Sequence, residues 1–224
     1  MNLGKSDKLY CMNCDDNKKI LFIHIPRTAG KSIRTNFKLG LYDDNFHRLI
    51  MYQCSHRRAI HMPENVLKTF DTFVVIRNPL DRLVSLYNYY MYRKDLKPYN
   101  ILSRYNNFNE FVLDLKNIPI ASYRGEEINN KDMLQDNFNP CTYFICDNNK
   151  VLIKNIIRFE NLNNDLKNFA NKVNMNISFP LIKNKKGEHN KKVTSYKDYY
   201  NDKMIQKVID VYKTDIEIFN YTLE

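Results

Sequence analysis

Thr72-Phe73-Val74-Val75-Ile76-Arg77-Asn78-Pro79-Leu80-Asp81-Arg82-Leu83-Val84-Ser85-Leu86-Tyr87 changes its periodicity at one arginine. Before Arg77 the residues form a short unbroken apolar run, the mark of a strand buried on both faces. After it, Pro79 suits the first turn of a helix, where a missing N–H costs nothing. Leu83, Leu86, Tyr87 and Tyr90 then recur at helical spacing and give that helix a core face. Arg77 closes the strand, and Ser85 lies two turns into the helix. A guanidinium fork joined by a hydroxyl is a receptor for a phosphate dianion.

A second unit of the same kind lies upstream. Lys19-Ile20-Leu21-Phe22-Ile23-His24-Ile25 reads as a buried strand that runs into Pro26-Arg27-Thr28-Ala29-Gly30-Lys31-Ser32 and a helix from about Lys31 to Leu39. A strand feeding a small-residue loop and a helix N-terminus aims several backbone N–H groups at one spot. Gly30 is expected to let the backbone approach closely, Ser32 adds a hydroxyl, and Arg27 and Lys31 add charge. Gly30-Lys31-Ser32 also matches the end of a Walker A loop, but Ile25 stands where that pattern needs its first glycine. Two such units, each ending in an anion receptor, suit a nucleotide with phosphates at two separate positions. In open α/β sheets such ligands lie at the carboxyl ends of the strands. The expected fold is therefore α/β, a P-loop-like three-layer arrangement with a central, mostly parallel sheet flanked by helices.

The stretch Phe22-Ile23-His24-Ile25-Pro26-Arg27-Thr28-Ala29-Gly30-Lys31-Ser32-Ile33 resembles the 5′-phosphosulfate loop of the Golgi-type carbohydrate sulfotransferase family. Val75-Ile76-Arg77-Asn78-Pro79 through Arg82, Ser85 and Tyr87 resembles that family's 3′-phosphate motif. Arg158-Phe159-Glu160-Asn161-Leu162 and the segment Tyr196 to Tyr221 are similar to later parts of it, so the likeness spans about Ile20 to Tyr221. The resemblance implies transfer of a sulfuryl group from 3′-phosphoadenosine 5′-phosphosulfate (PAPS) to a hydroxyl, with a carbohydrate as the acceptor the family name favours. It assigns Arg27, Thr28, Ala29, Gly30, Lys31 and Ser32 to the 5′-phosphosulfate, and Arg77 with Ser85 to the 3′-phosphate. A late basic loop contributes to donor binding in relatives, and Lys186-Gly187 is the corresponding expectation here. The chain departs from the family at two positions: Arg27 stands where Lys is usual, and Lys31 where Thr is usual. Protein-tyrosine sulfotransferases are similar in placing Arg at the first. Either Arg27 or Lys31 is left to meet the bridging oxygen.

A hydroxyl nucleophile needs a base, and histidine has the best-matched intrinsic pKa. His56 falls where relatives carry a His followed by a short helical stretch, with His61 second. Glu64 is a further candidate, since other sulfotransferase branches use a carboxylate. His24, inside the first strand, reads as a buried hydrogen-bonded ring. In-line attack on sulfur would leave the protein to position reactants and to neutralise charge on the leaving phosphate through Arg27 and the loop N–H groups. No metal is needed for this.

With 224 residues, a single domain is the default. The expected organisation is a polar tail over 1–18 and one sulfotransferase domain over 19–224. The balance of 35 basic against 25 acidic residues favours anionic ligands. Lys183, Lys185, Lys186, Lys191 and Lys192 supply part of it. Charge alone would also suit a non-catalytic polyanion-binding module, and the partial Walker match a P-loop kinase or NTPase. A kinase would need Mg²⁺ and usually an acidic residue ending the second strand, where Arg77 stands. Neither alternative accounts for both phosphate sites. The partners expected are a nucleotide donor and a hydroxyl-bearing acceptor, with no nucleic acid.

No stretch reaches the ~20 apolar residues of a membrane span, and Met1 to Lys19 lacks a signal-peptide core. The expected location is the cytoplasm, or the Golgi lumen if an anchor has been removed. Five cysteines, an odd number, suit a reducing compartment. Cys11 and Cys14 form a lone Cys-x-x-Cys that reads as non-metal. Further along, Asn107 to Lys116 reads as a helix, and 118–139 as a loop-rich insertion where acceptor contacts are expected. Tyr143-Phe144-Ile145-Cys146 and Val151 to Ile157 read as strands about an Asp147-Asn148-Asn149 turn. Asn161 is placed to cap a helix reaching about Val173. Met204, Ile205, Val208, Ile209, Tyr212, Ile216 and Phe219 mark a final amphipathic helix.

Overall fold

The structure, a computed structural model, describes residues 11–14, 18–37, 56, 58–96, 98–118, 136–181 and 195–223. Within the chain two compact units are distinguished: residues 1–77 with 144–185, and 78–143 with 186–224.

The first unit is built on a sheet. Its strands are β1 (Cys11–Cys14), β2 (Lys18–Ile23), β3 (Asp71–Ile76) and β6 (Asn155–Arg158), in the order β1-β2-β3-β6. β2, β3 and β6 run parallel, with Phe22 opposite Phe73 and Val75 opposite Ile157. β1 pairs antiparallel to β2, so strand begins inside the stretch expected to be a tail. A parallel strand has to bury both faces, which is why β2 and β3 are apolar almost throughout. Ile20, Phe22, Phe73, Val75 and Ile157 form one core with Ile33 of α1 (Gly30–Asn36) and Phe37 just beyond it. Leu166 and Phe169 of α7 (Leu162–Lys172) close the same core. Phe73 sits at its centre, with ring centroids 4.8 Å from Phe22 and 4.6 Å from Phe169. Leu21, Ile23, Val74 and Ile76, on the opposite face, are buried as well.

Two connections in this unit follow from local chemistry. The hairpin of β4 (Cys146–Asp147) and β5 (Lys150–Val151) turns on Asn148 and Asn149 at φ 45° and 65°. Asparagine tolerates that left-handed region, which tight hairpins require. Asn161 occupies the N-cap position of α7 but does not cap it; its side chain donates to Asp165 (2.6 Å) and accepts from Asn164. Asp165 in turn accepts from the backbone N–H of Arg158 (2.9 Å), tying the end of β6 to α7.

The second unit is helical. α3 (Pro79–Tyr92) starts at Asn78, whose side chain accepts from the N–H of Leu80 at 2.9 Å, with Pro79 in the first turn as its sequence implies. Leu80, Leu83, Leu86, Tyr87 and Tyr90 are buried with Leu102 of α4 (Pro98–Leu102) and with Phe108, Phe111 and Val112 of α5 (Phe108–Leu113). α8 (Asp202–Phe219) buries Met204, Val208, Tyr212, Asp215 and Phe219 along one stripe and kinks at Tyr212. The strand expected over Val151 to Ile157 is split between β5 and β6, in two different sheets. A carboxylate on the α8 stripe explains a second strand expectation that fails. Residues Cys141–Ile145 form a helix, α6, and not a strand. Asp215 accepts from the N–H groups of Cys141 (2.6 Å) and Thr142 (2.7 Å) and from the Thr142 hydroxyl (2.8 Å). These are first-turn donors with no partner inside the helix, so a side chain more than seventy residues away caps α6 and overrides its β-prone sequence.

Candidate functional site

The carboxyl ends of β2, β3 and β6 lie side by side, since Ile23 pairs with Val74 and Ile76 with Arg158. Each strand delivers its next residues to that end of the sheet: the loop from His24 to Ala29, Arg77, and Phe159. The loop is the most constrained of the three. Arg27 and Ala29 both have positive φ, 64° and 66°. A non-glycine residue held there costs of order 1–3 kcal/mol and persists only when its surroundings over-determine it. Two bonds do so here. The Thr28 hydroxyl, wholly buried, donates to the carbonyl of Ile25 at 2.9 Å. Arg77 donates from Nη1 to the carbonyl of Arg27 at 3.0 Å. Backbone that alternates in this way is the material of anion-binding concavities.

Arg77 is held from a second side. Its guanidinium carbon lies 3.9 Å from the centroid of the Phe159 ring, within range of a cation–π contact. Phe159 opens a 3₁₀ turn directly after β6 and rests against the sheet core. Residues from three of the four segments that resemble the family thus meet in the first unit.

At Gly30 the structure shows a close neighbour within the chain itself. Its φ is not positive, and what approaches it is a side chain. A Cβ at position 30 would stand 1.8 Å from Nε2 of His24. His24 follows the last residue of β2 and does not lie within it, a correction to the reading of a ring buried in the strand. Its imidazole stacks on Phe22 and meets His56 edge-on, the centroids 4.9 Å apart. Gly30→Ala is therefore expected to lower the thermal unfolding midpoint, and adding His24→Ala should recover part of the loss. An unchanged midpoint for the single variant would show that the ring moves aside without cost.

Burial first, then the charges of His56, Arg34, Arg27 and Lys31, hold the His24 imidazole well below the usual histidine range. A ring kept neutral in the fold but protonated in the unfolded chain links stability to pH. Its contribution is whole above the ordinary value and is lost as pH falls through it. Between about pH 7 and pH 5 the urea midpoint of the unsubstituted protein should fall more steeply than that of His24→Gln. Parallel curves would rule His24 out as the source.

The other expected residues are placed as follows. Lys31 is exposed on α1, and Ser32 half-buried beside it. His61 is exposed at the end of a 3₁₀ turn, Ala59–His61. Glu64 is exposed at the start of α2 (Glu64–Thr69) and pairs with Lys68 at 2.6 Å, whose hydrogen bond and charge hold the carboxyl below its usual range. Ser85 lies on α3, in the second unit. Lys186 and Gly187 lie outside the described residues. Arg82, part of the same motif as Arg77, is wholly buried, donating to the carbonyls of Asn139 (2.7 Å) and Asn137 (2.9 Å). Its work is to hold the chain before α6. Phe159 was legible only as part of a familiar segment, because nothing in its sequence says which cation it faces.

Among the described residues, no group of three or more His, Cys, Asp or Glu side chains is arranged to hold a metal ion. None of their helices is long and apolar enough to cross a membrane. Residues 11–222 match the family model described as Sulfotransferase family. No curated protein and no solved structure matches the chain.

Proposed function

Because the chain belongs to the sulfotransferase family, we propose that it moves a sulfuryl group from PAPS to an acceptor hydroxyl on a carbohydrate, by in-line transfer with a histidine base. The observation that carries this reading is the 3.0 Å bond from Arg77 to the carbonyl of Arg27. It joins the two stretches that resemble phosphate-binding motifs at one end of one sheet, within reach of a single bisphosphorylated nucleotide. The loop from Arg27 to Ser32 takes the 5′-phosphosulfate in this reading, and Arg77 the 3′-phosphate. Ser85 and Lys186-Gly187 are assigned to the donor by resemblance alone.

His56 is the base we favour over His61 and Glu64. Its ring packs on His24, which itself rests on Gly30 of the donor loop. The ion pair with Lys68 stabilises the carboxylate of Glu64, which makes it a weaker proton acceptor. In the transfer, the acceptor oxygen forms a bond to sulfur while the bond from sulfur to the bridging oxygen breaks. His56 removes the acceptor's proton, and Arg27 or Lys31, with the loop N–H groups, meets the charge that grows on the leaving phosphate.

The test is incubation with sulfur-labelled PAPS and a panel of glycans, peptides and phenols. Label is expected on a glycan, and loss of that transfer in His56→Ala. Label on peptide or phenol alone would reject the carbohydrate acceptor. No transfer, together with no binding of the bisphosphate product, would reject the enzyme.

A further inference from the structure

We infer that Phe159 is a positioning residue for donor specificity: it fixes the plane of the Arg77 guanidinium, so that the fork steadying the donor loop is also the one that reads the 3′-phosphate. The inference rests on the function proposed above and goes beyond it, since it makes recognition of one phosphate a condition for the loop that holds the other.

The N–H groups of a guanidinium lie in its plane, so they donate sideways while a face packs. Phe159 covers one face at 3.9 Å. With that face occupied, rotation of the group is restricted and its donors are confined to a single plane. One of them is committed to the carbonyl of Arg27, a residue held at positive φ. An anion bound in the same plane pulls on the group that holds the loop. A nucleotide lacking the 3′-phosphate would lose its own contact and would also leave the loop less firmly held.

Phe159 is itself well anchored. It follows Arg158, which pairs with Ile76 in the sheet and donates its N–H to Asp165 of α7. The ring rests against the core that includes Phe73, Phe169 and Leu166. A side chain supported in this way can act as a fixed plate against which a mobile cation is oriented.

The experiment compares affinities for adenosine 3′,5′-bisphosphate and adenosine 5′-monophosphate by titration calorimetry. The unsubstituted protein, Phe159→Leu and Phe159→Tyr are each measured. Leucine keeps the apolar bulk and removes the ring face, and tyrosine keeps the face. Phe159→Leu should reduce the preference for the bisphosphate by roughly 3- to 10-fold, the size of one partly buried cation–π contact. The monophosphate affinity should fall by less than that of the bisphosphate, and Phe159→Tyr should restore the preference. If leucine weakens both nucleotides equally, or neither, Phe159 is packing alone and the inference is overturned. Should Phe159→Leu fail to fold, Phe159→Met reads the same ratio. An unsubstituted protein with no preference for the bisphosphate would instead reject the function proposed above, and this inference with it.

Discussion

Replacing Arg77 by alanine is expected to weaken binding of adenosine 3′,5′-bisphosphate by on the order of 10²-fold or more. The substitution removes three things at once: the bond to the carbonyl of Arg27, the contact with Phe159, and the charge we assign to the 3′-phosphate. A hydrogen bond from a cation contributes about 1.5–3 kcal/mol, and each 1.4 kcal/mol is roughly tenfold in affinity. Arg77→Lys should recover only a fraction. An ammonium restores charge but neither the planar fork nor the stacked face, and it cannot hold loop and phosphate in one orientation. Calorimetric titration of the three proteins is the measurement. Unchanged affinity in Arg77→Ala would remove the 3′-phosphate assignment, and full recovery in Arg77→Lys would show that charge alone matters.

Asp215→Ala carries the largest expected cost in stability. The carboxylate is buried and accepts from two backbone N–H groups and one hydroxyl. Alanine leaves those donors buried without their acceptor. Each buried donor left without its acceptor costs about 1–3 kcal/mol, and three are left here. Unfolding of this variant should therefore begin in the helical unit, where Asp215 and Tyr212 hold the segment from Phe138 to Thr142. Urea titrations followed by far-ultraviolet circular dichroism test the size of the effect. A loss below about 1 kcal/mol would mean that water replaces the missing acceptor. Asp215→Asn should also destabilise, because one of its two acceptor oxygens becomes an NH₂ group facing backbone donors.

The expectations that hold rest on patterns short enough to be read in a single segment. β3 and α3 are legible because apolar run, Pro79 and helical spacing agree over a few residues. The pairing of α8 residues at Met204, Val208 and Tyr212 follows the same rule. The loop from Arg27 to Ser32 is recognisable in the sequence, yet the ring that crowds Gly30 is not. Glycine is usually a sign of positive φ or of a bound ligand, and here it makes room for the ring of His24. The helix at Cys141–Ile145 is hidden in the sequence because Tyr, Phe and Ile favour extended chain, and its cap lies far away in sequence.

Composition and periodicity were enough to specify buried parallel strands, an arginine at the end of one and a small-residue loop at the end of another. Those features depend on the chemistry of near neighbours, which sequence records directly. Only the folded chain decided that Arg77 grips the carbonyl of Arg27, that Phe159 lies beneath it, and that Asp215 caps a helix more than seventy residues before it. Contacts of that kind join residues with no local pattern in common, and their geometry exists only once strand register and helix packing have brought the partners together.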